Sequence, residues 1–264
     1  MSELSSVRAL ERGLTIIAIL NRHNGLTVTQ IGKLSNLPRP TAYRLLRTLE
    51  SLGYIFRDER DKNYRLSSKV RSLSHGYDQE EWISKISRPI ISTLCNKILW
   101  PIAIGTISGA NILIRDTTDD LSPYALNRLR GGFHISLINT ASGMVYLSFC
   151  EDEKSSELIN YSLKKDPDAF NKSRTNITLF RKSLSEIRER GFACLPTVGQ
   201  NHGVLAYPII VKDSIFATLS MRFLLSALTI GQATERYSKQ IESASTEIGK
   251  SIEGWVKKMN DLNK

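Results

Sequence analysis

Residues 26–53 read LTVTQIGKLSNLPRPTAYRLLRTLESLG, and few folds accept that order of signals. Thr27 precedes Gln30 by three residues, the spacing of a capping box, so a helix is expected to start there. Val28, Ile31 and Leu34 predict the buried stripe of a helix about two turns long. It should end at Ser35-Asn36, because asparagine tolerates the left-handed backbone that a tight turn needs. Pro40 suits the first turn of a second helix, where its missing N–H costs nothing. Ala42, Leu45, Leu46 and Leu49 recur at i, i+3, i+4 and i+7 and should face inward. A short helix, a tight turn and a longer helix form a helix-turn-helix. Such a motif offers the N-terminal side chains of its second helix to the major groove of DNA. Arg39, Thr41, Tyr43, Arg44 and Arg47 lie toward the outer side or that N-terminal end, and guanidinium groups suit guanine edges and phosphates.

The flanking segments extend the motif. VRALERGLTIIAIL (7–20) has helical apolar spacing with one wide face, and Gly25 stops it. After Gly53, YIFRD and NYRLS alternate around ERDK and read as a hairpin. A hairpin after a helix-turn-helix is a wing, lined by Arg57, Arg60, Lys62 and Arg65. The expected DNA-binding set is therefore Thr27, Arg39, Pro40, Thr41, Tyr43, Arg44, Arg47, Arg57, Arg60, Lys62 and Arg65. Charge agrees. Residues 1–75 hold 13 Lys+Arg against 6 Asp+Glu, a net +7 of the chain's +10. A basic head on a nearly neutral body suits a polyanion, double-stranded DNA above all.

Together these residues resemble the DNA-binding domain of the IclR family of bacterial transcription regulators. The resemblance rests on RALERGL, on GLT…IGKLSNLPRPTAYRLLRTLESLGY and on the wing ending in YRLS. Asn36 stands where the family usually has glycine, and Gly32 where it has alanine. The second change should weaken the supporting helix.

Beyond the head the pattern changes. Residues 67–98 are helical in pattern, interrupted by His75-Gly76-Tyr77 and Pro89. A winged helix-turn-helix domain over 1–76 and a linker helix plus effector domain over 77–264 are expected. WPIAIGTISGANILIRDTT reads as two strands turning at Ser108-Gly109. INTASGMVYLSFC begins as a loop and becomes a helix. Residues 151–190 are polar and helical. FACLPTVGQNHGVLAYPIIVKDSIFATLSMRFLL gives further strands with a turn at Lys212-Asp213, and 230–258 form an amphipathic helix. The fold class is α+β, with an antiparallel sheet flanked by helices.

TASGMVYLSF, IRERGFA and GVLAYPIIVKDSIFATLSM resemble the effector domain of the same family, so the resemblance spans nearly the whole chain. RDTT, NTASGMVYLSFC and SALTIGQA bring the body closest to MhpR-like regulators of aromatic-acid breakdown. The resemblance implies a homodimer or dimer of dimers on a palindromic operator. It implies contact between copies through the first helix, and a small organic acid as effector, either aromatic or short-chain. It also implies a pocket at Ile135, Leu137, Thr140, Ala141, Ser142, His202 and Val204. Backbone N–H groups at a helix start after Thr140 suit an anion. Arg115, inside the apolar NILIRD, would pair with a carboxylate, or with Asp116 or Asp119. His202 and His134 suit either a ligand contact or a structural hydrogen bond.

The rival class is a small-molecule hydrolase or transferase with an accessory nucleic-acid-binding head. It finds little support. Ser142 lies outside a GxSxG elbow, and paired carboxylates, HExxH and a glycine-rich phosphate loop are all missing. A third reading is a non-specific nucleic-acid binder. Cys95, Cys150 and Cys194 lie far apart without CxxC spacing, so neither zinc nor a disulfide framework is expected. No cofactor is expected. No apolar run is long enough to cross a bilayer, and no secretory leader is evident, so a cytoplasmic protein is the expectation.

Overall fold

The computed structural model describes residues 7–23, 25–74, 82–125, 129–172 and 175–262. The chain forms two compact units, Met1–Asp78 and Gln79–Lys264. No helix among the described residues is long and apolar enough to cross a membrane.

The head has three helices, α1 (Arg8–Arg22), α2 (Val28–Leu34) and α3 (Arg39–Ser51), followed by strands β1 (Ile55–Arg57) and β2 (Tyr64–Leu66). The capping box at α2 is complete. The Thr27 hydroxyl accepts from the Gln30 N–H at 3.3 Å, and Gln30 Oε1 accepts from the Thr27 N–H at 2.9 Å. Asn36 takes φ 52° in the turn, and Pro40 sits in the first turn of α3. Ile16, Leu20, Leu26, Ile31, Leu46, Leu49, Ile55 and Tyr64 make the core.

One expectation fails here. Leu34 is 52% exposed, because α2 ends on it and the chain turns away; Leu37, beyond the turn, packs inward in its place. The N-terminal half of the apolar face of α1 is also bare, with Val7, Leu10 and Leu14 exposed. A feature not foreseen ties the wing down: Leu26 and Tyr64 exchange backbone hydrogen bonds of 3.2 and 2.8 Å.

Among its described residues the second unit begins with a π-helical turn, Ile83–Ser87, continuing into α4 (Arg88–Ile98), and Pro89 stands in the first turn of α4, where π-helix gives way to α-helix. The linker expected around residues 75–80, with its HGY break, lies outside the described residues. Then come β3 (Ile102–Ser108), β4 (Asn111–Thr117), β5 (His134–Ser136), α5 (Ala141–Phe149), α6 (Asp152–Lys165), α7 (Ala169–Lys172), α8 (Ile177–Arg190), β6 (Ala193–Pro196), β7 (His202–Val211), β8 (Ser214–Leu224) and α9 (Ile230–Leu262). The strands form one antiparallel sheet in the order β5-β4-β3-β8-β7-β6. The first hairpin turns one residue later than expected. Ser108 still pairs with Asn111, which leaves Gly109 (φ 58°) and Ala110 in the loop. Lys212 and Asp213 both take positive φ, as a two-residue turn between twisted strands requires.

Strand alternation divides the core. Ile102, Ile104, Leu205, Tyr207, Ile209, Ala217, Leu219 and Met221 point toward α4 and α9. Ile112, Ala206 and Ile215 belong to the opposite face, with α5 and α8. On that second face β8 carries Thr218, Ser220 and Arg222, the alternate positions of the strand.

Candidate effector cavity and nucleic-acid interface

The cavity lies on the α5 side of the sheet and measures about 680 Å³. Its floor comes from strand residues that alternation turns that way, namely Ala103, Ile114, Val204, Ser220 and Arg222. The start of α5 forms a wall with Thr140 and Ser142. β5 contributes Ile135 and Ser136, and the β6–β7 connection contributes Thr197, Gln200 and Asn201, with His202 at the start of β7. Tyr124 and Leu129 complete the rim.

Local chemistry fixes the α5 wall. The Thr140 hydroxyl donates to the Ser136 carbonyl at 2.7 Å and accepts from the Gly143 N–H at 3.2 Å. The helix start expected to hold an anion is therefore partly capped from within. Gly143 packs so closely on the Leu137 carbonyl that a Cβ would lie 2.0 Å from its oxygen, which lets α5 sit directly on the chain leaving β5.

Of the residues expected here, Ile135, Thr140, Ser142, His202 and Val204 do line the cavity. Leu137 and Ala141 do not. Both are buried in the core between α5 and the sheet, 0% and 2% exposed. Arg115 is not in the wall either. The sheet register passes over it, Ile104 pairing with Asp116 and Gly105 with Ile114, so it stands in a β-bulge of β4.

The cation in the wall is Arg222, whose side chain is 15% exposed and forms a close ion pair with buried Asp119. Asp119 also accepts from the Thr117 hydroxyl at 2.5 Å and from the Leu129 N–H at 2.9 Å. His202 is held below the usual histidine pKa, first by burial and then by the Arg222 charge, which keeps its imidazole neutral near pH 7. Among the described lining residues Arg222 is thus the permanently charged one, set in a largely apolar cavity with several hydroxyls. Such a site can hold one carboxylate on an apolar body. Sequence reasoning missed Arg222, Thr197, Gln200 and Tyr124. The polar alternation Thr218, Ser220, Arg222 inside an apolar strand was the available signal.

In the head, Arg39, Pro40, Tyr43, Arg44 and Arg47 of α3 are exposed. Thr41, which is half-buried, and Arg44 also stand on the flank of α3 that meets α1. There they border an apolar groove of about 710 Å³ with Leu10, Leu14 and Leu52. Thr27 is exposed, and its hydroxyl is engaged in the capping box. In the wing, Arg60 and Lys62 are exposed. Arg57 donates through Nε to the Lys62 carbonyl at 3.1 Å and lies over the Tyr64 ring. Arg65 is engaged within the wing, paired with Asp58 at 2.9 Å and Asp61 at 2.6 Å. Its hydrogen bond holds the Asp61 carboxyl far below the usual carboxylate range. Arg65 thus braces the wing that Arg60 and Lys62 top.

Residues 9–59 match the IclR helix-turn-helix domain. Across most of the chain there is likeness to the Pca operon regulatory protein of Acinetobacter baylyi, 28% identical over 246 residues, 89% of this chain and 82% of the relative. The p-hydroxybenzoate hydroxylase transcriptional activator of the same organism is 24% identical, covering 81% of this chain and 79% of the relative. The fold is shared with an IclR homolog from Microbacterium hydrocarbonoxydans solved with 4-hydroxybenzoate. Its TM-score is 0.65 at 18% identity, over 92% of this chain and 98% of that one.

Proposed function

The chain belongs to the IclR family of DNA-binding transcription regulators, and we propose that its effector is a small aromatic monocarboxylate held in the cavity beside α5. The observation that carries this reading is Arg222, a guanidinium that Asp119 engages through one nitrogen, in an otherwise uncharged, mostly apolar wall. The ligand carboxylate takes the arginine, and the ring lies among Ile114, Ile135 and Val204. A ring hydroxyl has Ser136, Ser142, Thr140 and the neutral His202 within the same wall as partners. Relatives named as the Pca operon regulatory protein and the p-hydroxybenzoate hydroxylase transcriptional activator, and a fold neighbour holding 4-hydroxybenzoate, agree with that chemistry. The regulated genes are then those of an aromatic-acid catabolic operon.

The head reads the operator with Arg39, Tyr43 and Arg47 on the recognition helix and Arg60 and Lys62 on the wing. The bare apolar face of α1 is what a second copy would cover, since Val7, Leu10 and Leu14 are more than half exposed. The chain acts by binding, and Ser142 serves as a hydroxyl donor rather than a nucleophile.

Calorimetric titration with benzoate and 4-hydroxybenzoate tests the effector reading. The wild type should bind at least one, and Arg222→Ala should lose about tenfold or more in affinity, the worth of a charge-assisted pair. Equal affinity in both proteins would remove Arg222 from the site. Unchanged ligand recovered after long incubation is the outcome expected of a sensor.

A further inference from the structure

Asp119 sits where a competing anion would sit. It follows β4, is 3% exposed, and directs its carboxylate at the guanidinium that the cavity offers to a ligand. The division of its oxygens matters. Oδ1 accepts from the Thr117 hydroxyl, while Oδ2 takes both Arg222 Nη2 and the Leu129 N–H. Leu129 itself lines the cavity, so Asp119 ties two lining residues together. Among the described residues the Arg222 guanidinium has no other hydrogen-bond or ion-pair partner. Its planar fork carries five N–H donors, and Asp119 engages one nitrogen of the three.

We propose that Asp119 is the residue that fixes the charge selectivity of the cavity, admitting monocarboxylates and rejecting dianions. The inference rests on the reading of the cavity as an aromatic-acid site. A ligand carrying one carboxylate makes Arg222 a bridge between two anions, which a single guanidinium can satisfy by using both edges of its fork. A ligand carrying two carboxylates brings a third negative charge against one positive charge. The added charge faces Asp119 in a wall screened from water, where charges act at low effective dielectric. No second Lys or Arg is available among the described lining residues to offset the excess. Asp119 is a positioning residue as well, since it orients Arg222 before any ligand arrives.

Asp119→Asn separates charge from geometry. With its NH2 turned to the Thr117 oxygen, the asparagine carbonyl keeps both the Arg222 and the Leu129 hydrogen bonds. The probes are benzoate and benzene-1,3-dicarboxylate, titrated calorimetrically into full-length wild type, Asp119→Asn and Arg222→Ala. Wild type should prefer the monoanion strongly. In Asp119→Asn that preference should shrink about tenfold or more, chiefly through gain in dianion affinity. A preference unchanged between wild type and Asp119→Asn, with benzoate binding still dependent on Arg222, overturns the selectivity role and leaves the aromatic-acid reading intact. A fall in benzoate affinity at unchanged preference also overturns it, and leaves positioning alone. Failure of both acids to bind wild type overturns both readings together. Circular dichroism and a melting curve establish that each variant is folded.

Discussion

Arginines with the same side chain do different work according to what lies within reach of the guanidinium. Arg47 on α3 is exposed and has only a loose pair with Glu50 at 3.5 Å, the kind of surface contact that contributes little. Arg65 is locked between Asp58 and Asp61, inside its own hairpin. Arg47→Ala should weaken operator binding about tenfold while leaving the melting curve in place, as loss of a DNA contact does. Arg65→Ala should instead loosen the wing, seen as faster backbone hydrogen exchange at Tyr64–Leu66, with any loss of DNA binding following from that. Band-shift titrations beside exchange measurements separate the two, and an operator affinity unchanged by Arg47→Ala would remove Arg47 from the recognition surface. The same point explains why the cavity's cation was hard to read. Arg115 and Arg222 both interrupt apolar strands, and the chain alone does not say which face of which strand meets α5. Only the pairing of β3 with both β4 and β8 sets Ile114 and Arg222 on the cavity side and leaves Arg115 in a bulge of β4, outside the wall.

At the scale of elements, α9 shows where propensity and packing disagree. The helix runs over 33 residues and lies against β7, tied by the Ser245 hydroxyl to the Pro208 carbonyl at 2.5 Å and by Glu253 to the Lys212 N–H at 2.7 Å. Gly249 is the contact point, and a Cβ there would fall 2.3 Å from the Ile210 carbonyl oxygen. Helix propensity alone favours Gly249→Ala by about 1 kcal/mol. The clash is with backbone, which has little room to yield, and overpacking costs about 1–3 kcal/mol. Packing should win, so Gly249→Ala is expected to lower the chemical denaturation midpoint. A midpoint equal to or above that of the wild type would mean that α9 can lift off β7. Elements of this kind were legible in the sequence wherever the signal is local. The α2 cap, the Asn36 turn, the start of α3, the wing and the Lys212-Asp213 turn depend on neighbours within a few residues. Short β5, the backbone pairing of Leu26 with Tyr64 and the burial of Leu137 depend on distant partners, and the sequence pattern carries no mark of them. Leu34 failed for a related reason: periodicity extends to the last residue of a helix, but cover from the next element does not.

At the scale of the molecule, the two halves differ in the electrostatics they present to their ligands. The first 75 residues hold +7 of the +10 net charge, mostly on exposed side chains, whereas the cavity's charge is a guanidinium already paired and 15% exposed. Operator binding should therefore fall steeply with salt, by about 0.9 in log K per log unit of salt for each phosphate neutralised. Effector binding should change far less, because a shielded pair is screened weakly. The stronger test is linkage. A regulator whose effector changes operator affinity by some factor must have its effector affinity changed by operator in the same ratio. Couplings of this kind usually amount to about 5–150-fold. Titrating 4-hydroxybenzoate, or whichever aromatic acid binds, into the protein with and without a saturating operator duplex should thus give two different dissociation constants. The measurement belongs at low salt, where the duplex stays bound, and with random duplex of the same length as control. An effector affinity indifferent to operator would mean that the cavity and the head function independently. The chain would then be a DNA-binding protein carrying a ligand site, with no means of reporting what the site holds.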